Sequence, residues 1–127
     1  MSERVRVSSG SSYEPVIGFS RAVRVGRRVL VAGTAPIFPD GACPHDAGRQ
    51  ARRCFEIIVE ALREAGAAPE HVVRTRMFLT HAADWEAVGR AHGEVFREAR
   101  PAATMVVVAG LLDPRWRVEI EAEAELP

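Results

Sequence analysis

From Arg117 to Leu126 the chain alternates without a break. Val118, Ile120, Ala122, Ala124 and Leu126 take every second place, and Glu119, Glu121, Glu123 and Glu125 take the others. A period of two belongs to a β-strand with one apolar and one charged face. A helix would scatter the glutamates around its circumference. The strand must therefore sit in a sheet with one face packed on a core. Same-face carboxylates stand about 6.7 Å apart along a strand, so a row of them repels unless cations or water stand opposite. Arg74 and Arg76 alternate in the same way around Thr75, and they are candidates for cross-strand pairing with that row.

Upstream, strand-like and helix-like stretches follow one another. Val5 to Ser9 is extended, and Gly10 to Pro15 reads as a loop. Ser20 to Val25 and Arg28 to Thr34 are strand-like runs parted by Gly26-Arg27, a hairpin signal. Pro36 to Pro44, with Pro39 and Asp40-Gly41 inside it, is a loop. Asp46 fits the N-cap of a long helix whose apolar stripe is Ala51, Cys54, Phe55, Ile58, Ala61, Leu62 and Ala65. Gly66 suits the position after its C-cap, and Pro69 stops any continuation. His71 to Thr80 is a strand. Asp84 fits a second N-cap, and Trp85, Val88, Val95, Phe96 and Ala99 form a helix stripe that must end before Pro101. Ala103 to Ala109 is apolar enough to be a strand buried on both faces. A loop, Gly110 to Trp116, leads into the closing strand.

This order predicts one α+β domain over residues 1–127, a mostly antiparallel sheet with two helices on one face. Two helices leave the other face bare, and self-association is the simplest cover. The 17 arginines and lysines balance 17 acidic residues, so no overall field draws nucleic acid or an anionic membrane. All 17 are arginine, which excludes a lysine Schiff base. No apolar run reaches the roughly 20 residues of a membrane span. Met1 to Arg6 has no apolar stretch of signal-peptide length, so a cytoplasmic location with Cys43 and Cys54 reduced is expected.

Few residues carry candidate chemistry. Any glutamate of the last strand reads either as part of a solvated, charge-balanced face or as a general base or water-positioning group in a cleft. His45, His71, His81 and His92 form no metal-binding spacing, and no metal is expected. The serines lack a nucleophile-elbow context. Cys54 lies on the buried helix stripe. Trp85 and Trp116 read as packing residues.

Several segments together resemble the Rid family (YjgF, reactive intermediate deaminase, formerly endoribonuclease L-PSP). They are Gly26-Arg-Arg-Val-Leu-Val-Ala-Gly33-Thr-Ala-Pro36, Val72-Val-Arg-Thr-Arg-Met-Phe-Leu79, Asp84-Trp85, Arg100-Pro-Ala102 and Val118-Glu-Ile-Glu-Ala122. The resemblance spans nearly the whole chain. It implies a chorismate-mutase-like fold and a homotrimer with clefts at subunit interfaces. It also implies cofactor-free hydrolysis of small enamines and imines.

In that family an arginine grips the substrate carboxylate, a glutamate on the last strand positions water, and a tyrosine and an asparagine shape the cleft. The resemblance assigns the glutamate role to Glu119. The cleft then takes in Phe19 at the tyrosine position, Gly33, Gly89 at the asparagine position, Ala103 at the arginine position, Thr104, Met105 and Trp116. The chain thus departs from the family where the arginine, tyrosine and asparagine stand. Arg100 or another arginine is a candidate replacement for the lost grip. The implied pocket is more apolar and suits a less polar ligand, and Glu119 would be pushed toward its protonated form if no cation faces it. Three functions follow from this: an imine or enamine deaminase of altered range, a non-catalytic small-molecule-binding or regulatory trimer, or an endoribonuclease. Neutral charge and the lack of basic–aromatic interleaving argue against RNA.

Overall fold

The computed structural model describes residues 4–127; Met1 to Glu3, read above as part of the N-terminal segment, lie outside it. Strand β1 spans Arg4–Val7, β2 Ala22–Val25 and β3 Arg28–Thr34. Helix α1 follows at Ala47–Glu64, then β4 at Val72–Leu79, α2 at Trp85–Phe96, β5 at Ala102–Val107 and β6 at Val118–Glu125. The six strands form one sheet in the order β1-β2-β3-β6-β4-β5. Every pairing is antiparallel except β4 with β5. The closing strand therefore lies inside the sheet, between β3 and β4.

The local signals explain most boundaries. Gly26 takes φ +61° in the turn between β2 and β3. Asp46 caps α1, its Oδ1 accepting from the Arg49 amide at 3.1 Å. Gly66, at φ +88°, ends that helix, and Arg24 Nη1 donates to the Ala65 carbonyl there at 2.9 Å. The stripe Ala51, Cys54, Phe55, Ile58, Ala61 and Leu62 is buried against Val118, Ile120, Ala122 and Ala124 of β6. Thr75 is also buried, and its hydroxyl meets His92 Nε2 at 2.8 Å.

Four expectations change. The segment Glu14–Gly18 forms a single π-turn rather than a plain loop. Asp84 stands at the start of α2 but caps nothing with its side chain, which instead accepts from Arg117 Nε and Nη2 at 2.8 and 3.2 Å. The charge-assisted fork outcompetes the helix amide. Trp85 is 61% exposed and does not pack. Strand β5 is not buried on both faces. It is the sheet edge, and Val106 and Val107 are exposed.

The face away from the helices is bare, as the two-helix count implied. Val25, Leu30 and Val106 lie exposed on it. The glutamate row shares this face and is partly neutralised. Arg76 Nη1 bridges Glu121 at 3.0 Å and Glu123 at 3.2 Å, and Arg28 Nη2 reaches Glu123 at 2.7 Å. Arg76 thus takes the cross-strand role foreseen for it.

Candidate functional site

Glu119 differs from its row. Register pairs it with Phe78 on β4. On the β3 side, pairing slips between Val31 and Thr34, which inserts a bulge at Ala32-Gly33. A Cβ built on Gly33 would stand 2.5 Å from Glu119 Oε2, so the carboxylate lies directly over the glycine backbone. A glycine within a strand pattern often marks such a close approach. Glu119 is half-buried, and burial raises its proton affinity above that of an ordinary glutamate. Arg21 opposes the shift and Glu121 adds to it.

A cation therefore faces Glu119 after all. Arg21 was not among the residues expected here, although its place two before Val23, in a run leading into a strand, puts it on the charged side. Its Nη2 donates to the carbonyls of Ala32 at 2.6 Å and Gly33 at 2.7 Å. Its Nε is buried and has no partner among the described residues. Desolvation lowers the Arg21 pKa, against the pull of Glu14 and Glu119. Glu14, on the π-turn, accepts from the Ser9 amide at 2.8 Å and from its hydroxyl, which hold its carboxyl below the usual range. Phe19 closes that turn, donating its amide to the Glu14 carbonyl at 3.1 Å, and is 39% exposed.

A second group gathers at the sheet edge. Gly89, in the middle of α2, faces Met105 of β5; a Cβ there would lie 3.4 Å from the Met105 methyl. Ala103 pairs with buried Thr75, and Met105 pairs with buried Met77. Both therefore point to the helix side. Thr104 pairs with Arg76 and shares the bare face. Arg100 sits at φ +47° and sends its Nε back to the Arg97 carbonyl at 3.2 Å, so its side chain closes the end of α2. Trp116 is half-buried in the loop before β6, its amide donating to the Asp113 carbonyl at 3.0 Å.

One chain does not unite these groups. Glu119 and Gly33 meet on the bare face, whereas Ala103, Met105 and Gly89 lie on the helix side beyond β4. A larger groove of about 460 Å³ between α1 and α2, lined by Arg52, Phe55, Glu94 and Val95 among others, is remote from Glu119. A smaller one of about 280 Å³ borders Arg76, Glu121 and Leu30 on the bare face. Among the described residues, no three His, Cys, Asp or Glu side chains cluster as metal ligands, and no helix is long and apolar enough to cross a membrane.

The family model Endoribonuclease L-PSP matches residues 10–126, nearly the whole described chain. This chain belongs to that family. The Rid resemblance drawn from the sequence is thereby shown. An uncharacterized protein of Streptomyces coelicolor is 46% identical over 120 residues, covering 94% of this chain and 90% of its own. The 3-aminoacrylate deaminase RutC of Acinetobacter baylyi is 32% identical over 114 residues, covering 88% and 90%. Among solved structures, a Mycobacterium tuberculosis member of the highly conserved YjgF family superposes with a TM-score of 0.89. It is 42% identical and covers 98% of this chain and 100% of its own. The α+β fold is that of the family.

Proposed function

We propose that this L-PSP family member hydrolyses a small imine or enamine, with Glu119 positioning water or shuttling a proton. The observation that carries the reading is Glu119 itself, half-buried over Gly33 with a raised proton affinity. Such a carboxylate sits nearer neutral pH than a solvated one, as a general acid–base group requires. Likeness to a protein named 3-aminoacrylate deaminase supports the same chemistry. An enamine would first take a proton on its carbon and lose one from its nitrogen to become the imine. Water would then add to the imine carbon while Glu119 takes its proton and passes it to the nitrogen. Collapse of the resulting carbinolamine, with the hydroxyl proton moving to the nitrogen, would release ammonia and leave a carbonyl.

The reading includes assembly into a homotrimer. Copies packed by their bare faces and β5 edges would bring Ala103, Met105 and Gly89 of one chain toward Phe19, Gly33 and Glu119 of the next. Such packing would also cover Val25, Leu30 and Val106. With Ala103, Phe19, Met105 and Gly89 lining it, the cleft suits a less polar substrate than a free amino-acid imine. Light scattering coupled to size exclusion tests the assembly.

The activity test is incubation with 3-aminoacrylate, 2-aminoacrylate and 2-iminobutyrate, each generated in situ. Acceleration lost in Glu119→Gln is the expected result for the substrate that fits. No acceleration of any imine, with a ligand that co-purifies or raises the melting temperature, would favour a non-catalytic binding trimer. That second reading is supported by Ala103, which puts no charge where the family's arginine stands. RNA cleavage that persists through purification and disappears in Glu119→Gln would instead favour the activity in the family's older label.

A further inference from the structure

We propose that Arg21 is a positioning residue for Glu119: fixed on the Ala32-Gly33 bulge, its guanidinium holds a positive charge beside the carboxylate and leaves both oxygens open to water. The inference deepens the hydrolase reading and rests on it for its chemical purpose. Both side chains flank the same glycine. Arg21 Nη2 is 2.7 Å from the Gly33 carbonyl, and Glu119 Oε2 is 2.5 Å from where a Gly33 Cβ would be. Standard backbone dimensions then put the two charges within about 9 Å. They make no direct ion pair among the described residues.

That offset matters. A guanidinium fork closed on Glu119 would occupy both carboxylate oxygens and hide them from water. Arg21 cannot swing to do so, because its Nη2 hydrogens are held by two backbone carbonyls and its Nε is enclosed. It acts through space and leaves the oxygens open. The other charged and titratable neighbours do not substitute for it. Glu121 follows Glu119 on the same face and raises its proton affinity. Arg76 is engaged by Glu121 and Glu123. Cys54, beneath on α1, is buried and its thiol is held far from ionising. Glu14, whose carboxyl is bound by Ser9, shares the Arg21 field. β4 contributes Phe78, which does not titrate.

The test is a carboxyl-carbon NMR titration of Glu119, assigned by comparison with Glu119→Gln. It is run on the wild type, Arg21→Gln, Arg21→Lys and the control Arg28→Gln, each confirmed folded by circular dichroism. In Arg21→Gln the proton affinity of Glu119 should rise between about twofold, at a water-like dielectric, and about twentyfold, at the effective value suited to protein surfaces. Arg21→Lys should restore most of the wild-type midpoint, and Arg28→Gln should leave it in place. If Arg21→Gln unfolds, Arg21→Met, which keeps the apolar stem, takes its place. An unchanged midpoint in the neutral variant, or a lysine variant that fails to restore it, overturns the proposal. Turnover is not needed for this measurement. Absent deaminase activity with the expected titration would sink the hydrolase reading alone, and turnover with no titration response would sink this one alone.

Discussion

Gln50 offers a severe test of how the loops before β6 are held. It is fully buried on α1, on a helix otherwise stabilised by apolar contacts. Its Nε2 donates to the carbonyls of Pro44 at 2.7 Å and Arg115 at 3.0 Å, and its Oε1 accepts from the Arg117 amide at 2.7 Å. One side chain thus ties the loop ahead of α1 to the loop that delivers β6 and Glu119. Gln50→Leu keeps the volume and deprives three backbone groups of their partner. Each buried group left unpaired costs about 1–3 kcal/mol. The carbonyls lie in loops where water can enter, so the lower end applies, and the sum is about 3 kcal/mol. For 127 residues that lowers the melting temperature by about 10 °C. Urea unfolding should show a lower midpoint at unchanged m, the mark of lost stability rather than an altered unfolded state. Gln50→Glu should be worse than leucine at pH 7, where an anion meets two carbonyls, and should recover as acid protonates it. A Gln50→Leu loss below about 1 kcal/mol would mean that the loops hold each other without the amide, and the reasoning would fail.

Four further outcomes follow from the same geometry. Gly33→Ala drives a methyl into the Glu119 carboxylate, whose flexible end can swing away; turnover should fall at least about tenfold while stability changes by less than about 1 kcal/mol, read by kinetics beside thermal melts. Burial lowers the His92 pKa from its ordinary 6.5, so its contribution to stability is complete above that value and is lost as pH falls through the folded pKa. Urea midpoints from pH 7.5 to 5 should decline, and His92→Gln should flatten the slope. Glu119 has the opposite sign: its raised pKa favours the fold below 4.5 and costs stability as pH rises through the folded value, so Glu119→Gln should melt above the wild type at pH 7. Arg117→Ala breaks the half-buried fork to Asp84 and should cost about 1–2 kcal/mol in urea unfolding, with little salt dependence in the wild type.

Glu119 and Gly33 stand together, and the bulge that lets them touch is built into β3. Ala103 and Gly89 leave apolar space where the family resemblance implies polar groups, and Met105 extends toward Gly89. Arg100, a candidate substitute for the missing arginine, sends its Nε to the Arg97 carbonyl at the end of α2. A cation beside the site comes instead from the run leading into β2, at Arg21.

Periodicity along the chain was enough to place β6, the α1 stripe and the hairpin at Gly26, because each depends on neighbours two to four residues apart. It also required a sheet with one bare face, since two helices cannot cover both. The family motifs added Glu119 as the distinguished member of its row. What periodicity could not carry was pairing across the chain. That β6 enters between β3 and β4, and that β5 lies parallel at the edge, depends on contacts between residues far apart in sequence. An apolar run such as β5 looks the same whether buried centrally or waiting at an edge. Asp84 looked like a cap because its partner, Arg117, lies 33 residues away and binds more strongly than a helix amide. Arg21 and Gln50 escaped notice for the same reason: each is an ordinary polar residue locally, and becomes consequential only where folding brings β3 or the β6 loop against it.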